Sequence, residues 1–495
     1  MKTKNLIIIL VILASVNITC SDFLEEDPKS ILSPTSYPNS EADVRQIFGG
    51  VHSIIVGLTN ARWHIIVTGS DEGISRMLPG ESRGDLDHYA FQIDNGFFLD
   101  IWQSEYQVIN SMNLIIDRLE SLDENWVNPY IGAAQALRAF MYFDLVRLFG
   151  KIPLIVIPSS EIALFEVERE EISVVYDQII LDLTNAETNL SGHQWDIPIM
   201  PTIGFAKSML AKVYMTMAGN PLNDATKWAL ASSKAKEVVD LNIYQLVKPY
   251  SDLFLIANEN GPEHIFSAQI SVDGPNRQLL NLNFRPRNIG LQRGNGQAAT
   301  TIQFYQEFSA DDIRRDVSIL TGVLSTTGNS GGAPKTYTYP TWGGSAKERT
   351  PHIKKYFDTN RPYENWMEFD RSSGNNFPIL RFADVLLTLA ESENEANGPT
   401  DLAYNALNQI RDRAGLSPLS GLSQSEFRNA VRDDRKKELC FEAHRRFDLV
   451  RWGTFFSVMS ADPYAGPNVK PHHELLPIPL LELNVNPGLG QNPNY

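Results

Sequence analysis

The chain has 495 residues, 43% of them hydrophobic and 21% charged, with 43 Lys and Arg against 59 Asp and Glu, a formal charge of −16 and 2 Cys. This excludes disordered, collagen-like and disulfide-scaffold classes, and the net negative field excludes a protein that tracks nucleic-acid phosphates. The length allows two to four domain-sized units or one elongated repeat domain.

Lys2 and Lys4 precede the apolar run Leu6 to Val16, eleven residues long and roughly half of the ~20 that span a bilayer as a helix. Residues 1–19 therefore read as an export signal. Cys20 stands at the cleavage position, where bacterial lipoproteins carry the cysteine that accepts the lipid. The flank Asn17-Ile18-Thr19 departs from the common Leu-Ala-Gly type, and the competing reading is an unmodified cysteine beside an ordinary cleavage site. Asp22, Glu25, Glu26 and Asp27 follow as an acidic segment, either a surface-sorting signal or a solvated tether. After cleavage only Cys440 accompanies Cys20. An acylated Cys20 leaves no pair for an internal disulfide, so stability must come from packing.

In the mature chain, Trp102, Tyr106, Ile109, Met112, Ile116 and Leu119 recur at spacings of three and four, one face of a helix. A second helix carries Ala134, Leu137, Met141, Leu145 and Leu148 and stops at Gly150, so the two form an antiparallel hairpin. The pattern recurs in Val175 to Leu190 and Gly204 to Ala218. Arg138-Ala139-x-x-Tyr142 aligns with Leu210-Ala211-x-x-Tyr214 at an offset of 72 residues, close to two ~34-residue helical-hairpin repeats of the tetratricopeptide kind. Further pairs are Phe382 to Ala396 with Ala403 to Arg413, and Phe427 to Cys440 with Ala443 to Trp452. Trp102 and Trp452 sit inside these patterns and read as core.

Between about 250 and 378 the texture changes to Gly, Pro, Asn and Ser with one clear helix, Thr301 to Phe308, and long irregular stretches of this kind usually carry function. Apparent catalytic signals there are weak. Gly328-Asn329-Ser330-Gly331-Gly332 has the spacing of a nucleophile elbow but lacks the strand and helix around it. Gly294 to Ala299 imitates a dinucleotide turn without a buried strand ahead of it. His472-His473 has no metal-ligand spacing, so no metal and no cofactor is expected. The acidic pairs Asp311-Asp312 and Asp433-Asp434 and the basic runs Arg435 to Lys437 and Arg445-Arg446 read as solvated or ion-paired helix faces.

Several segments together resemble the SusD/RagB family of surface lipoproteins of Bacteroidota. They are NFPILRFADVLLTLAESENEANG with LNQIRDRAGL, the helix ending RRFDLVRWG, the closing ELLPIPLLELNVNPGLGQNPNY, ALRAFMYFDLVRLFGKIPL and RGNGQAATTIQFYQEFSADDIRRD. The resemblance implies a mainly α fold, a SusD-like superhelix of tetratricopeptide-like hairpins with an irregular, loop-rich ligand-binding substructure. The repeats would occupy about 100–250, the loop-rich insertion about 250–378 and the C-terminal helices and tail 379–495. It also implies a non-catalytic role at the outer membrane, facing the cell exterior, capturing oligosaccharides for a SusC-like TonB-dependent transporter. Some members of the family take peptides instead.

A sugar offers flat C–H faces and a rim of hydroxyls. One aromatic ring covering on the order of 100 Å² contributes about 2.5 kcal/mol, less than the ~4 kcal/mol of a millimolar complex, so platforms should cluster. The best cluster is KTYTYPTWGGSAKER, where Tyr337, Tyr339 and Trp342 lie on an extended segment and strand alternation puts Tyr337 and Tyr339 on one face. Its other reading is a β-hairpin whose aromatics pack onto the helices. In the family the region ahead of the first strong helix often contributes to the site, which adds Trp63, Asp71, Arg83 and Asn95 as a platform and hydrogen-bonding groups. Trp366 is a third option.

Overall fold

The computed structural model describes residues 37–161, 167–271, 283–284, 296–325, 335–338, 350–356 and 374–495. The export leader, Cys20 with its acidic neighbours, the Gly328 loop, Tyr339, Trp342 and Trp366 lie outside the described residues.

The first described helix, α1 (Glu41–Trp63), has no counterpart in the periodicity reading. It opens on a capping box: Ser40 Oγ accepts the Asp43 N–H at 3.3 Å, and the Asp43 carboxylate accepts the Ser40 N–H at 3.1 Å. A short helix, α2 (Ser82–His88), leads to the hairpin α3 (Gly96–Glu120) and α4 (Val127–Phe149), which contains the two helices expected around Trp102 and Leu137. The stripe of α3 is one-sided, whereas α4 is buried almost all round, with Ala133, Ala134, Ala136 and Ala139 fully inaccessible. Small residues let α4 be flanked closely. At Gly132 a Cβ would stand 2.8 Å from the Asn189 Cβ, so nothing larger fits there without moving the next helix.

That next helix is α5 (Ile172–Asn189), followed by α6 (Ile203–Ala218) and α7 (Lys227–Asp240). Each helix from α3 to α7 packs on its successor, and α7 packs on a later helix, which makes a continuous stack. Ala139 on α4 and Ala211 on α6, the small residues of the 72-residue offset, are both buried.

The described residues of the loop-rich stretch include the short helices α8 (Ile302–Glu307) and α9 (Ile313–Ser318). Two-stranded antiparallel ladders tie it down. Strand β1 (Gly73–Ser75) pairs with β3 (Ala298–Thr300), and β2 (His264–Ala268) with β8 (Phe377–Arg381). Strand β4 (Ile319–Leu320) pairs with β7 (His352–Ile353), and β5 (Gly322–Ser325) with β6 (Lys335–Thr338). The chain then returns to helices with α10 (Phe382–Asn397), α11 (Asp401–Arg413), α12 (Gln424–Glu438) and α13 (Arg445–Arg451), then α14 (Phe455–Met459) and α15 (Leu480–Val485).

The charge-rich C-terminal helices are held by buried ion pairs, not by solvated faces. Arg314 bridges the two acidic pairs singled out above, donating to Asp312 at 2.7 Å and to Asp434 at 2.8 Å. Arg381 donates to Glu442 at 2.7 Å, Glu438 at 2.7 Å and Glu263 at 2.8 Å, and Arg413 joins Glu263 and Glu438 from the other side. Arg435 links Asp384 and Asp448 at 2.7 and 2.8 Å. The helices are ion-paired as the sequence suggests, with Asp448 a near neighbour of Arg435, but most of these partners come from other elements. Trp102 is core, edge-on to Phe149 at 5.1 Å. Trp452 is not core. It caps α13, stays partly exposed, and stands 4.7, 5.7 and 4.9 Å from the guanidinium groups of Arg432, Arg445 and Arg451.

Candidate functional site

The join between the helical body and the loop-rich stretch is built from the segment after α1. The chain leaves α1 through a five-residue π-type turn, His64–Thr68, all of it buried, and enters β1. Gly73 opens that strand because a Cβ there would lie 2.8 Å from the Val67 side chain and 2.9 Å from its carbonyl oxygen. Pairing of β1 with β3 continues into a further bond, with the Arg76 N–H donating to the Gln297 carbonyl at 2.8 Å.

Arg83, on α2, donates to the Gln297 side-chain oxygen, and its guanidinium stands 5.8 Å from the centre of the Phe97 ring. Burial lowers the Arg83 pKa from its ordinary value, so this half-covered charge is imperfectly solvated. Asn95 holds the same corner: its side-chain oxygen caps α3 through the Phe97 N–H at 3.1 Å, and its amide donates to the Ser82 carbonyl at 3.1 Å. Leu78, 65% exposed, stands in the turn ahead of α2. Arg76 approaches His352 at 3.3 Å, whose other ring nitrogen meets the Phe284 carbonyl at 3.2 Å. Burial, with the Arg76 charge, pushes His352 down to about 3, so the ring is neutral, donating to Phe284 and accepting from Arg76.

The sequence candidates therefore divide. Arg83 and Asn95 are brought together, Arg83 as a half-covered guanidinium and Asn95 as the group that sets the helix start beside it. Trp63 is a correction. Its ring has no exposure, lies 4.3 Å from the Phe284 ring and donates its indole N–H to the Phe441 carbonyl at 3.1 Å, so it presents no face to a ligand. Asp71 is also turned inward. It accepts from Arg445 at 2.7 and 2.8 Å and meets Lys436 at 2.9 Å; burial alone would raise its pKa, but these two charges hold it below the ordinary carboxylate range. Tyr337 lies in β6 opposite Val323 of β5, so that part of the aromatic cluster is a hairpin strand. Tyr339 and Trp342 fall outside the described residues.

Phe97, Gln297 and Leu78 were not singled out in the sequence. Phe97 follows an Asn two positions ahead, a helix-start signal that was readable. Gln297 meets Arg83 across 214 residues, and no local pattern marks that pairing.

A stack of helical hairpins bearing on one edge a loop-rich substructure pinned by short ladders defines a SusD-like protein. The chain belongs to the SusD family: residues 242–495 match it, and residues 22–215 match a related family described as starch-binding and associating with the outer membrane. A SusD-like protein of Formosa agariphila is 30% identical over 100% of both chains, and another from the same organism is 27% identical over 99% of this chain and 98% of its own. The starch-binding protein SusD of Bacteroides thetaiotaomicron is 23% identical over 78% of this chain and 76% of its own. Among solved structures, a SusD homolog from Bacteroides thetaiotaomicron superposes with a TM-score of 0.82 at 23% identity, covering 93% of this chain and 98% of its own. A laminarin-binding SusD-like protein does so with a TM-score of 0.75 at 23% identity, covering 92% and 100%. These two likenesses establish the shared fold.

Proposed function

We propose that the protein captures nutrient oligosaccharides at the outer surface of the cell and hands them, uncleaved, to a SusC-like TonB-dependent transporter. A lipid on Cys20, exposed by removal of residues 1–19, holds it on the outer membrane. The observation that carries this reading is membership of the SusD family, in which a relative is named for binding starch. The geometry supports it. Arg83 offers hydrogen-bond donors over an aromatic ring, beside an exposed Leu78; the stacking platforms are proposed from the sequence alone, at Tyr337, Tyr339 and Trp342. One carboxyl of each acidic pair, Asp312 and Asp434, is buried on Arg314.

The test is a glycan panel against the mature protein, run alongside Tyr339→Ala and Trp342→Ala. One oligosaccharide class is expected to bind, with each variant weakened about tenfold or more. Equal affinities in all three proteins would discard the platforms, and binding of peptides in place of glycans would move the ligand to another class.

A further inference from the structure

A cavity of about 480 Å³ opens where the end of α4, the start of α5 and helix α13 meet the C-terminal tail. Its lining includes none of the residues of the Arg83 corner. The wall is mostly apolar, with Val146 from α4, Ile172 from α5, Phe447 and Val450 from α13, and Leu475 and Pro493 from the tail. We infer that it is a binding site for a small apolar carboxylic acid, an aliphatic or aromatic body carrying one carboxylate, with that carboxylate on Arg169.

Two polar groups of the lining lack a partner that their surroundings would ordinarily supply. Tyr176 is only 3% exposed, yet its hydroxyl has no hydrogen-bond partner among the described residues. Its ring is held edge-on to Phe143 of α4 at 6.2 Å, and the cavity it lines is the space from which an acceptor can reach the oxygen. A hydroxyl taken out of water and left unpaired is costly, which makes this one a waiting donor.

Arg169 is the second group. It donates to three neutral oxygens of the tail, the Leu489 carbonyl and the Asn492 side chain at 2.7 Å each and the Gln491 carbonyl at 3.3 Å. A guanidinium carries five N–H groups, so two are left over, and among the described residues no carboxylate pairs with it. The other cations of the lining have acids: Lys151 has Glu171, Arg147 has Asp144, and Arg451 has Glu391 and Asp448.

The ligand class follows from this combination. The volume is that of a small-molecule pocket, not of a single trapped water. A sugar would set its hydroxyl rim against an apolar wall and leave it unsatisfied. An apolar body is satisfied there, and a planar carboxylate takes the free edge of the Arg169 fork. One unmatched cation calls for one negative charge, which a phosphate monoester would overshoot.

Titration calorimetry of the mature protein with sodium octanoate and with 1-octanol tests this. Octanoate is expected to bind at one site about tenfold or more tighter than octanol. Arg169→Gln should remove that preference while leaving octanol binding unchanged, and Tyr176→Phe should weaken octanoate by a smaller factor. Equal affinities for acid and alcohol, no binding of either, or an unaltered preference in Arg169→Gln would each overturn the proposal. Should that variant not fold, crystals of the unaltered protein soaked with 8-bromooctanoate decide. An anomalous bromine peak against the apolar wall, with the carboxylate on Arg169, is the expected result; bromine found only outside the cavity would contradict the site.

Discussion

In the proposed site, the polar half of ligand recognition is assigned to Arg83. It is fixed from two directions, by the Gln297 side chain and by the Phe97 ring, so little rotamer freedom remains to be lost on binding. Arg83→Ala is expected to weaken glycan binding about tenfold, which corresponds to about 1.4 kcal/mol. Arg83→Lys should recover only part of it, because an ammonium lacks the planar fork. Titration calorimetry on the three proteins checks this, and equal affinities would remove Arg83 from the site. Glu72 is a different case. It is buried beside Asp71, accepts the Phe441 N–H at 3.2 Å, and burial followed by the Asp71 charge pushes its pKa up to about 8. The folded state therefore holds a proton that the unfolded state releases near 4.5, so this group costs stability increasingly as pH rises between those values. Glu72→Gln should match the unaltered protein below about pH 4 and be more stable by a few kcal/mol at pH 8, as read from urea unfolding at both values. A variant that is less stable at pH 8 would contradict the assignment.

Elements differ in how much their own sequence specifies them. Helices α3 and α4 were legible because Trp102 to Leu119 repeats at three and four and Gly150 ends the second helix. Helix α7 was not, since its buried face is Ala231, Ser232, Ala235 and Val238, too weakly apolar to show a stripe. Helix α1 was missed although Ser40-x-x-Asp43 announces it. The aromatic segment at Tyr337 was legible as an extended strand, yet strand alternation alone does not say which surface the rings meet. The ion pairs were the least legible feature: Arg314 and Asp434 are 120 residues apart, and only the meeting of α9 with α12 makes them partners. They also carry the clearest prediction at this scale. Arg381 bridges β8 to the segment around Glu438 and Glu442 and to Glu263, all fully buried. Arg381→Met leaves those acids facing one another and should cost about 3–5 kcal/mol in urea unfolding, whereas Arg428→Met, on the part-exposed pair with Glu395, should cost about 1 kcal/mol or less.

At the scale of the whole molecule, a rigid superhelix presents a loop-rich edge while its strongest charges are turned inward and paired. In the proposed role the energy for transport comes from the SusC-like partner. Among the described residues no helix is long and apolar enough to cross a membrane, and the proposed anchor is the lipid on Cys20. Cys20→Ala should move the protein from the membrane pellet to the soluble fraction, checked by ultracentrifugation and immunoblotting; a variant that stays in the pellet would require another anchor. The chemistry itself is tested most directly by mass spectrometry of an oligosaccharide recovered after prolonged incubation with the mature protein and separation of the bound fraction. The account predicts a bound sugar returned with its original chain length and mass. Shortened chains produced by the isolated protein would contradict it.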